Sequence, residues 1–334
     1  MRKWWLIIIM CFFLCEVNAG RKALLVGISK YPQNSGWREI SSSNDLELLA
    51  SILKGHASVT ILSGERASKA GIIMALKKLR GEAQNGDTIL IHLSGHGQQM
   101  WSDDRKENDM LDEAFVPYDA AKDSSAIYSG QNHLKDDELG SYINAIRKSA
   151  GSNGLVIVSI DACHSGSIDR KTESDNTIIR GTYDIFGAKR PSADEARFKQ
   201  PDDTTRIEKG ILADVIYISA CAQYDINREI VKQGRGYGAL SYSLGQALVR
   251  PGLDDKSVFI DSVRAYMALY QPLQSPKIRA SFEYEIVGEK KIPPVANSDE
   301  ESLIEDSPSP FIVLILVVVI SVIIGIVWIR MKRR

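Results

Sequence analysis

Five short apolar runs, separated by segments with helical periodicity, constrain the fold of this chain more than any other feature. Each run is rich in branched residues, so it can lie in a sheet with both of its faces buried. The runs cover residues 23–28, 58–62, 87–93, 155–160 and 214–219. Helices are predicted over residues 44–53, after Ser68, and over 136–148, 239–249 and 257–269, with Ser43 or Asn44 capping the first. We therefore predict an α/β fold with a mostly parallel sheet and helices on both faces.

The two ends of the chain differ from this globular body, which we place at residues 20–288. A basic start, an uncharged apolar run and Ala19 are typical of a signal peptide over residues 1–19, with an uncleaved signal anchor as the alternative. Residues 311–329 contain no charged side chain and would span roughly 28 Å as a helix, which matches a bilayer core. Basic residues in 330–334 predict a cytoplasmic tail, so the globular body should face the periplasmic or extracytoplasmic side. Residues 289–310 read as an acidic, Pro/Ser-rich tether to the membrane.

The net charge of the exported part argues against functions that depend on binding polyanions. The two ends contain six of the 41 basic residues and one of the 42 acidic residues, which leaves a net charge of −6 for the remainder. A negative body argues against nucleic-acid binding and against docking on anionic lipid. Cys163 and Cys221 are its only cysteines, so it is not a disulfide scaffold. A bond between them would be possible, but Cys221 fits better as a small buried apolar residue.

Two strand ends carry residues that can do chemistry. The run at 87–93 continues into SGHG with His96, and the run at 155–160 continues into DACHSG with Cys163. If these strands are neighbours, the imidazole and the thiol can meet, as a cysteine nucleophile requires. His164 is adjacent to Cys163 but should point to the opposite face, and His92 lies inside a strand and fits a packed core position.

The same alternation places further polar groups beside the thiol. Asp161 and Ser94 each lie two residues before Cys163 and His96, so they should share a face with them. A buried carboxylate needs a cationic partner, which a substrate Arg or Lys could supply; alternatively, Asp161 caps a turn or pairs with an Arg of the protein. The amides of Gly97 and Cys163 could form an oxyanion hole.

These motifs together resemble the caspase-like cysteine peptidases, most closely the metacaspases and their bacterial relatives. The resemblance covers most of residues 22–250 and rests on ALLVGI, NDL, SGHG, DEAFVPYD, KDDEL, DACHSGS, ISAC and GYGALSYSL in that order. It implies a caspase-like three-layer sandwich and a His96–Cys163 dyad. It also implies an acidic pocket from Asp45, Ser94 and Asp161 that selects Arg or Lys before the cleaved bond.

The family resemblance also raises calcium activation and self-cleavage. Its calcium-binding aspartates would match Asp112, Asp136 and Asp137, but the fourth position holds Arg170, with Asp169 one residue early. No cofactor is expected for the chemistry itself. The polar excursion at 167–209 offers basic residues for self-cleavage. They include Arg170, Lys171, Arg180, Lys189, Arg190, Lys199 and Arg206.

We therefore predict a membrane-anchored cysteine endopeptidase that acts on proteins and peptides after Arg or Lys. Two alternatives remain open from the sequence. A legumain-like transamidase would pass the acyl group to an amine instead of water. A catalytically silent adaptor would display the same surface without reacting, which the presence of both His96 and Cys163 disfavours.

Overall fold

A computed structural model of the protein describes residues 19–101, 111–163, 178–187, 211–221, 226–249, 253 and 255–284. All of them belong to one compact unit, Met1–Ile292. The strands are β1 (Arg21–Gly27), β2 (Ser58–Ser63), β3 (Thr88–Ser94), β4 (Gly97–Trp101), β5 (Leu111–Phe115), β6 (Leu134–Lys135), β7 (Leu155–Asp161), β8 (Asp214–Ser219), β9 (Glu229–Lys232), β10 (Arg235–Gly238) and β11 (Lys277–Ala280). The helices are α1 (Ser42–Leu53), α2 (Lys69–Glu82), α3 (Asp136–Ala150), α4 (Ala239–Val249) and α5 (Lys256–Tyr270).

The five predicted strands all belong to one six-stranded sheet. Its order is β11-β8-β7-β3-β1-β2, and every pair is parallel except β11 with β8. Strands β4, β5 and β6 form a small antiparallel sheet, and β9 pairs with β10 in a hairpin. The predicted α/β class with a mostly parallel sheet is confirmed.

Helices cover both faces of the large sheet because its strands are apolar on both sides. In β1, Ala23 and Leu25 pack in the cluster that contains residues of α1, α4 and α5. Leu24 and Val26, which alternate with them, pack in the cluster that contains residues of α2 and α3. This alternation gives the three layers that the resemblance implied.

The helix starts show where local signals predicted the structure and where they did not. Ser68 accepts a hydrogen bond from the Gly71 amide (3.3 Å) and caps α2, as predicted. The predicted cap of α1 is wrong, because α1 begins at Ser42 and Ser41 occupies the N-cap position. Asn44 instead donates through Nδ2 to the Gly236 carbonyl (2.9 Å), so a long-range contact replaced the local one.

No helix in the described part of the chain is both long and apolar enough to cross a membrane. Residues 1–18 and 285–334 lie outside the described part. The signal peptide, the tether, the transmembrane segment and the basic tail therefore stay predictions.

Candidate active site

The register of the sheet brings the two chemistry-bearing strand ends together. β3 and β7 are parallel neighbours, and Ser94 lies opposite Asp161. The Gly95 amide donates to the Asp161 carbonyl (3.3 Å), which extends the pairing past the strands. His96 and Cys163 each follow that pair by two residues, and both are buried. They therefore lie at the same edge of the sheet on adjoining strands.

His96 is a neutral imidazole in which one ring nitrogen is hydrogen-bonded to the backbone. Its Nε2 lies 2.9 Å from the Arg38 carbonyl. A carbonyl can only accept, so Nε2 carries the proton and Nδ1 is left with a lone pair. Nδ1 is buried and makes no hydrogen bond within the described residues. Burial lowers the pKa of His96 to about 4, helped by the nearby Arg180 charge, so the ring can act as a base at neutral pH.

Two aromatic side chains set the orientation of this imidazole. Trp37 stacks on it with ring centroids 4.9 Å apart and an interplanar angle of 23°. The Tyr31 hydroxyl accepts a hydrogen bond from the His96 amide (3.2 Å) and donates to the Val116 carbonyl (3.1 Å). The pattern of the sequence did not single out Tyr31 or Trp37, because their loop contributes no strand or helix to the sheet.

Cys163 has its amide and its thiol in different environments. Its amide donates to the Arg180 carbonyl over 2.8 Å. Its Sγ lies 3.6 Å from Sγ of Cys221; both cysteines are buried, and no disulfide joins them. The buried position predicted for Cys221 is confirmed. Gly97, the other predicted oxyanion donor, begins β4 opposite Phe115, and its role stays a prediction; His164 lies outside the described residues.

The three predicted pocket residues surround one fully buried guanidinium, that of Arg180. Nη1 of Arg180 donates to Oδ2 of Asp45 and to Oγ of Ser94, each over 2.7 Å. The same nitrogen lies 3.8 Å from Oδ2 of Asp161. The alternative in which Asp161 pairs with an Arg of the protein is therefore what the structure shows. Asp161 also caps a helix, because the Ser241 amide near the start of α4 donates to it (2.7 Å).

Glu229 and Gly238 complete the pocket, and neither was predicted. Nε and Nη2 of Arg180 donate to Oε1 of Glu229 over 3.1 and 2.8 Å, so the carboxylate faces two nitrogens of the guanidinium. At Gly238, a Cβ atom would lie 2.1 Å from Oδ2 of Asp161 and 2.6 Å from Nη1 of Arg180. Only glycine leaves room for the guanidinium at this wall. The EIVK strand carries no chemical signature, so the sequence offered no signal for Glu229. Gly238 lies in GYGALSYSL, which belongs to the family resemblance, but the resemblance assigned it no role.

The electrostatics of the pocket follow from three carboxylates around one cation. Burial alone would raise the pKa of Asp161, but the Arg180 charge and hydrogen bonds from Asn227 and Ser241 together hold it below its usual value. Burial raises the pKa of Asp45 to about 6, against the opposing effect of Arg180. Burial would lower the pKa of Arg180, yet the charges of Asp45, Asp161 and Glu229 raise it further, so the guanidinium remains charged. The pocket is built to hold a cation.

The backbone around Arg180 runs like an added strand, and we call residues 178–187 the cleft segment. The Glu229 amide donates to the Ile178 carbonyl, and the Arg180 amide donates to the Asn227 carbonyl, each over 3.0 Å. This is antiparallel pairing, the mode by which an extended peptide adds to a sheet edge. At Gly181 a Cβ atom would lie 2.3 Å from the Cys163 carbonyl oxygen, so the peptide bond after Arg180 lies directly against the nucleophile residue.

The predicted calcium ligands do not form a metal site in the described part of the chain. Asp112 forms an ion pair with Lys135, and Asp136 and Asp137 lie in the first turn of α3. Asp169 lies outside the described residues, and within them no three His, Cys, Asp or Glu side chains are grouped to hold a metal ion. Calcium activation therefore stays a prediction, and no step of the chemistry is assigned to the ion.

The remaining predicted histidine, His92, is a packed core residue, as predicted. It is fully buried in β3, where Nδ1 lies 3.1 Å from Oγ of Ser159 and Nε2 lies 3.2 Å from Oγ of Ser241. Burial lowers its pKa to about 4. Both ring nitrogens are occupied, so His92 cannot replace His96 as a base.

Comparison with known proteins agrees with this geometry. A family model described as the caspase domain matches residues 20–298. Metacaspase-1A of Aspergillus niger is 31% identical over 159 residues, which cover 44% of this chain and 36% of that protein. Metacaspase-1A of Aspergillus terreus is 24% identical over 308 residues, which cover 80% of this chain and 72% of that protein.

Among solved structures, the Geobacter sulfurreducens protein GSU0716 shares the fold. It has a TM-score of 0.54 and 21% identity, and the match covers 82% of this chain and 98% of that one. The family model spans most of the chain, and the matched range contains both His96 and Cys163. The chain belongs to the caspase-domain family of cysteine peptidases, and the relatives described above are metacaspases.

Proposed function

We propose that this protein is a cysteine endopeptidase that cleaves after Arg, and less readily after Lys. The observation that carries this proposal is Arg180, whose guanidinium fills the acidic pocket while its carbonyl accepts from the Cys163 amide. An arginine in that position is bound as the residue before a cleaved bond would be. A lysine could place one ammonium near Asp45 but could not also present two nitrogens to Glu229.

The residues support nucleophilic catalysis by the thiol. Nδ1 of His96 accepts the thiol proton, and Sγ of Cys163 attacks the carbonyl carbon of the residue in the pocket. The Cys163 amide stabilises the negative charge that develops on the carbonyl oxygen. The imidazolium then gives its proton to the departing amine, which leaves a thioester on Cys163. Water, deprotonated by His96, hydrolyses the thioester and restores the thiol.

We further propose that the chain cleaves itself between Arg180 and Gly181. The 167–209 excursion contains nine basic residues, and the geometry favours Arg180 because its backbone is paired and its side chain is bound. The cleft segment also blocks the pocket until it is cut or displaced. Self-cleavage would therefore precede cleavage of other proteins.

The location of the enzyme is a proposal from the sequence alone. The apolar ends at 1–19 and 311–329 favour export and anchoring, with the catalytic domain on the extracytoplasmic side. Protease protection of the C-terminus in sealed vesicles, with and without detergent, tests this orientation.

The activity is tested with the full-length chain and a matched Cys163→Ala variant. We expect a new N-terminus at Gly181 in the wild type and none in the variant, together with cleavage of peptidyl-Arg substrates faster than peptidyl-Lys. Peptidyl-Asp should not be cut. Cleavage after Asp, or an intact Arg180–Gly181 bond under every calcium concentration tested, would contradict the proposal.

The same assay separates the two alternatives. Added glycine amide should leave the hydrolysis product dominant, whereas a transamidase would form the amide adduct. An electrophilic arginyl probe should label Cys163 in the wild type. An inert adaptor would not be labelled above the level of Cys163→Ala.

A further inference from the structure

The cleft segment is anchored a second time, well beyond the bond that Arg180 marks. Phe186 lies six residues after that bond, and its side chain is only 5% exposed. Its amide donates to the Gln99 carbonyl over 2.8 Å, and it forms a parallel bridge with Met100 on β4. The segment therefore contacts protein on both sides of the cleavage point.

Aromatic rings form the walls around Phe186. Tyr128 meets its ring edge-on, with centroids 5.6 Å apart and an interplanar angle of 88°. His133 lies with its ring centroid 4.9 Å away. At Gly130, where φ is +92°, a Cβ atom would lie 2.5 Å from Cε of Met100 and 2.8 Å from Cε1 of Phe186. The glycine is required both by the backbone conformation and by the space that the phenyl ring takes.

A chain of hydrogen bonds keeps these walls in place and connects them to the peptide backbone. Nε2 of Gln98 donates to the Asp184 carbonyl and to the Lys122 carbonyl, each over 3.0 Å. Its Oε1 therefore accepts from Nε2 of His133 (2.9 Å), which leaves Nδ1 to accept from the Tyr128 hydroxyl (2.9 Å). Burial lowers the pKa of His133 to about 4, so this ring is a neutral aromatic wall.

A cavity of about 360 Å³ adjoins the phenyl ring. Met100, Trp101, His133 and Phe186 line it together with Lys69 and Lys135. Both lysines have acidic partners, Glu138 and Asp112 respectively. The space beside Phe186 is therefore large enough for a ring bigger than phenyl. The positive charges of the two lysines at its border are already balanced by Glu138 and Asp112.

We propose that the pocket of Met100, Tyr128, Gly130 and His133 is a peptide-binding subsite for an aromatic side chain six residues after the cleaved bond. Phe186 is its occupant before self-cleavage, and a protein substrate presents its own aromatic residue there afterwards. The proposal rests on the proposed cleavage between Arg180 and Gly181, which sets the spacing. It adds a second recognition element that acts independently of the acidic pocket.

Binding tests the subsite without requiring activity. The full-length Cys163→Ala/Phe186→Ala variant leaves the pocket empty, and fluorescein-labelled peptides IIRGTYDIFG and IIRGTYDIAG compete for it. We expect the Phe peptide to bind about tenfold more tightly, because burial of one phenyl ring separates the two peptides. Residual occupancy by the chain's own Arg180 weakens both peptides equally and leaves the ratio unchanged. Equal affinities would overturn the subsite.

A matched comparison shows that the effect belongs to the pocket. In Cys163→Ala alone, Phe186 still fills the subsite, so the two peptides should differ by less than about twofold. The Cys163→Ala/Ile127→Ala variant should behave in the same way, since Ile127 is 91% exposed next to Tyr128. Tenfold discrimination in either of these proteins would place the Phe contact elsewhere and would contradict the proposal.

Self-cleavage gives a second measurement. Phe186→Ala in the active chain should slow cleavage at Arg180–Gly181 about tenfold, whereas Phe186→Trp should retain the wild-type rate. Loss of cleavage in the wild type itself would refute the proposed function, while the peptide affinities would still decide the subsite.

Discussion

The cleft segment is held at its two ends by different physical means. At one end, Arg180 is fully buried among Asp45, Asp161 and Glu229. At the other end, the uncharged ring of Phe186 packs against the rings of Tyr128 and His133. A buried cation requires a specific set of partners, because an unpaired charge there is strongly unfavourable. An apolar ring requires only shape and area. The acidic end should therefore decide where the chain is cut, and the aromatic end should decide how tightly it is held.

The largest effect is expected from Gly238→Ala, because the added methyl group reduces the volume of the acidic pocket that holds the guanidinium. The added Cβ would overlap Oδ2 of Asp161 and the guanidinium, so the pocket could no longer accept arginine. We expect kcat/KM for arginyl peptides to fall about 100-fold. Gly140→Ala on α3 is the control, because a Cβ there meets no atom within 4 Å. Equal activity of the two variants would contradict the prediction, because it would show that the residues around Gly238 can move to accommodate a Cβ atom.

Arg180→Lys separates charge from shape at the same end. The ammonium keeps one positive charge but cannot donate to Asp45 and twice to Glu229. We expect the rate of self-cleavage to fall about tenfold, with the cut still after residue 180. Arg235→Lys is the matched control, since Arg235 pairs with Glu47 at the surface. An unchanged rate would mean that Glu229 does not distinguish the two cations.

A lower pH should weaken the binding of arginine in the acidic pocket and should not affect the binding of Phe186 at the aromatic end. Asp45 has its pKa raised to about 6, so its negative charge is lost as pH falls from 7.5 to 5. We expect KM for an arginyl peptide to rise about fivefold over this range, because one partner of the guanidinium is neutralised. His96, with its pKa lowered to about 4, stays neutral and remains a base. A KM in Asp45→Asn that still rises as strongly would assign the titration to another group.

The smallest effect is expected between the two ends, at an exposed ion pair. Nζ of Lys122 lies 2.9 Å from Oδ2 of Asp184, with about half of the aspartate side chain exposed. Solvent-exposed pairs of this kind contribute about 0–1 kcal/mol. Lys122→Ala should therefore change the self-cleavage rate by less than about twofold. A larger loss would mean that charge also acts at the middle of the cleft segment.

The local pattern of the sequence determined the layers and the strand ends. Apolar runs with alternating faces must be buried on both sides, which required a parallel sheet covered by helices and placed His96 and Cys163 at one edge. The motifs then pointed to the histidine, the cysteine and three pocket residues. Apart from Asp45, which the family resemblance alone supplied, these inferences need only neighbours along the chain and the pleat of a strand.

Only the tertiary structure decided what fills the pocket and how the cleft is closed. Arg180 is one of nine basic residues in the polar excursion at 167–209, and nothing in its neighbours along the chain distinguishes it. Glu229, Gly238 and Phe186 likewise acquire their roles from residues 49 to 193 positions away. Burial of a charge or a ring depends on atoms brought together by folding, and no local periodicity encodes which distant atoms those are.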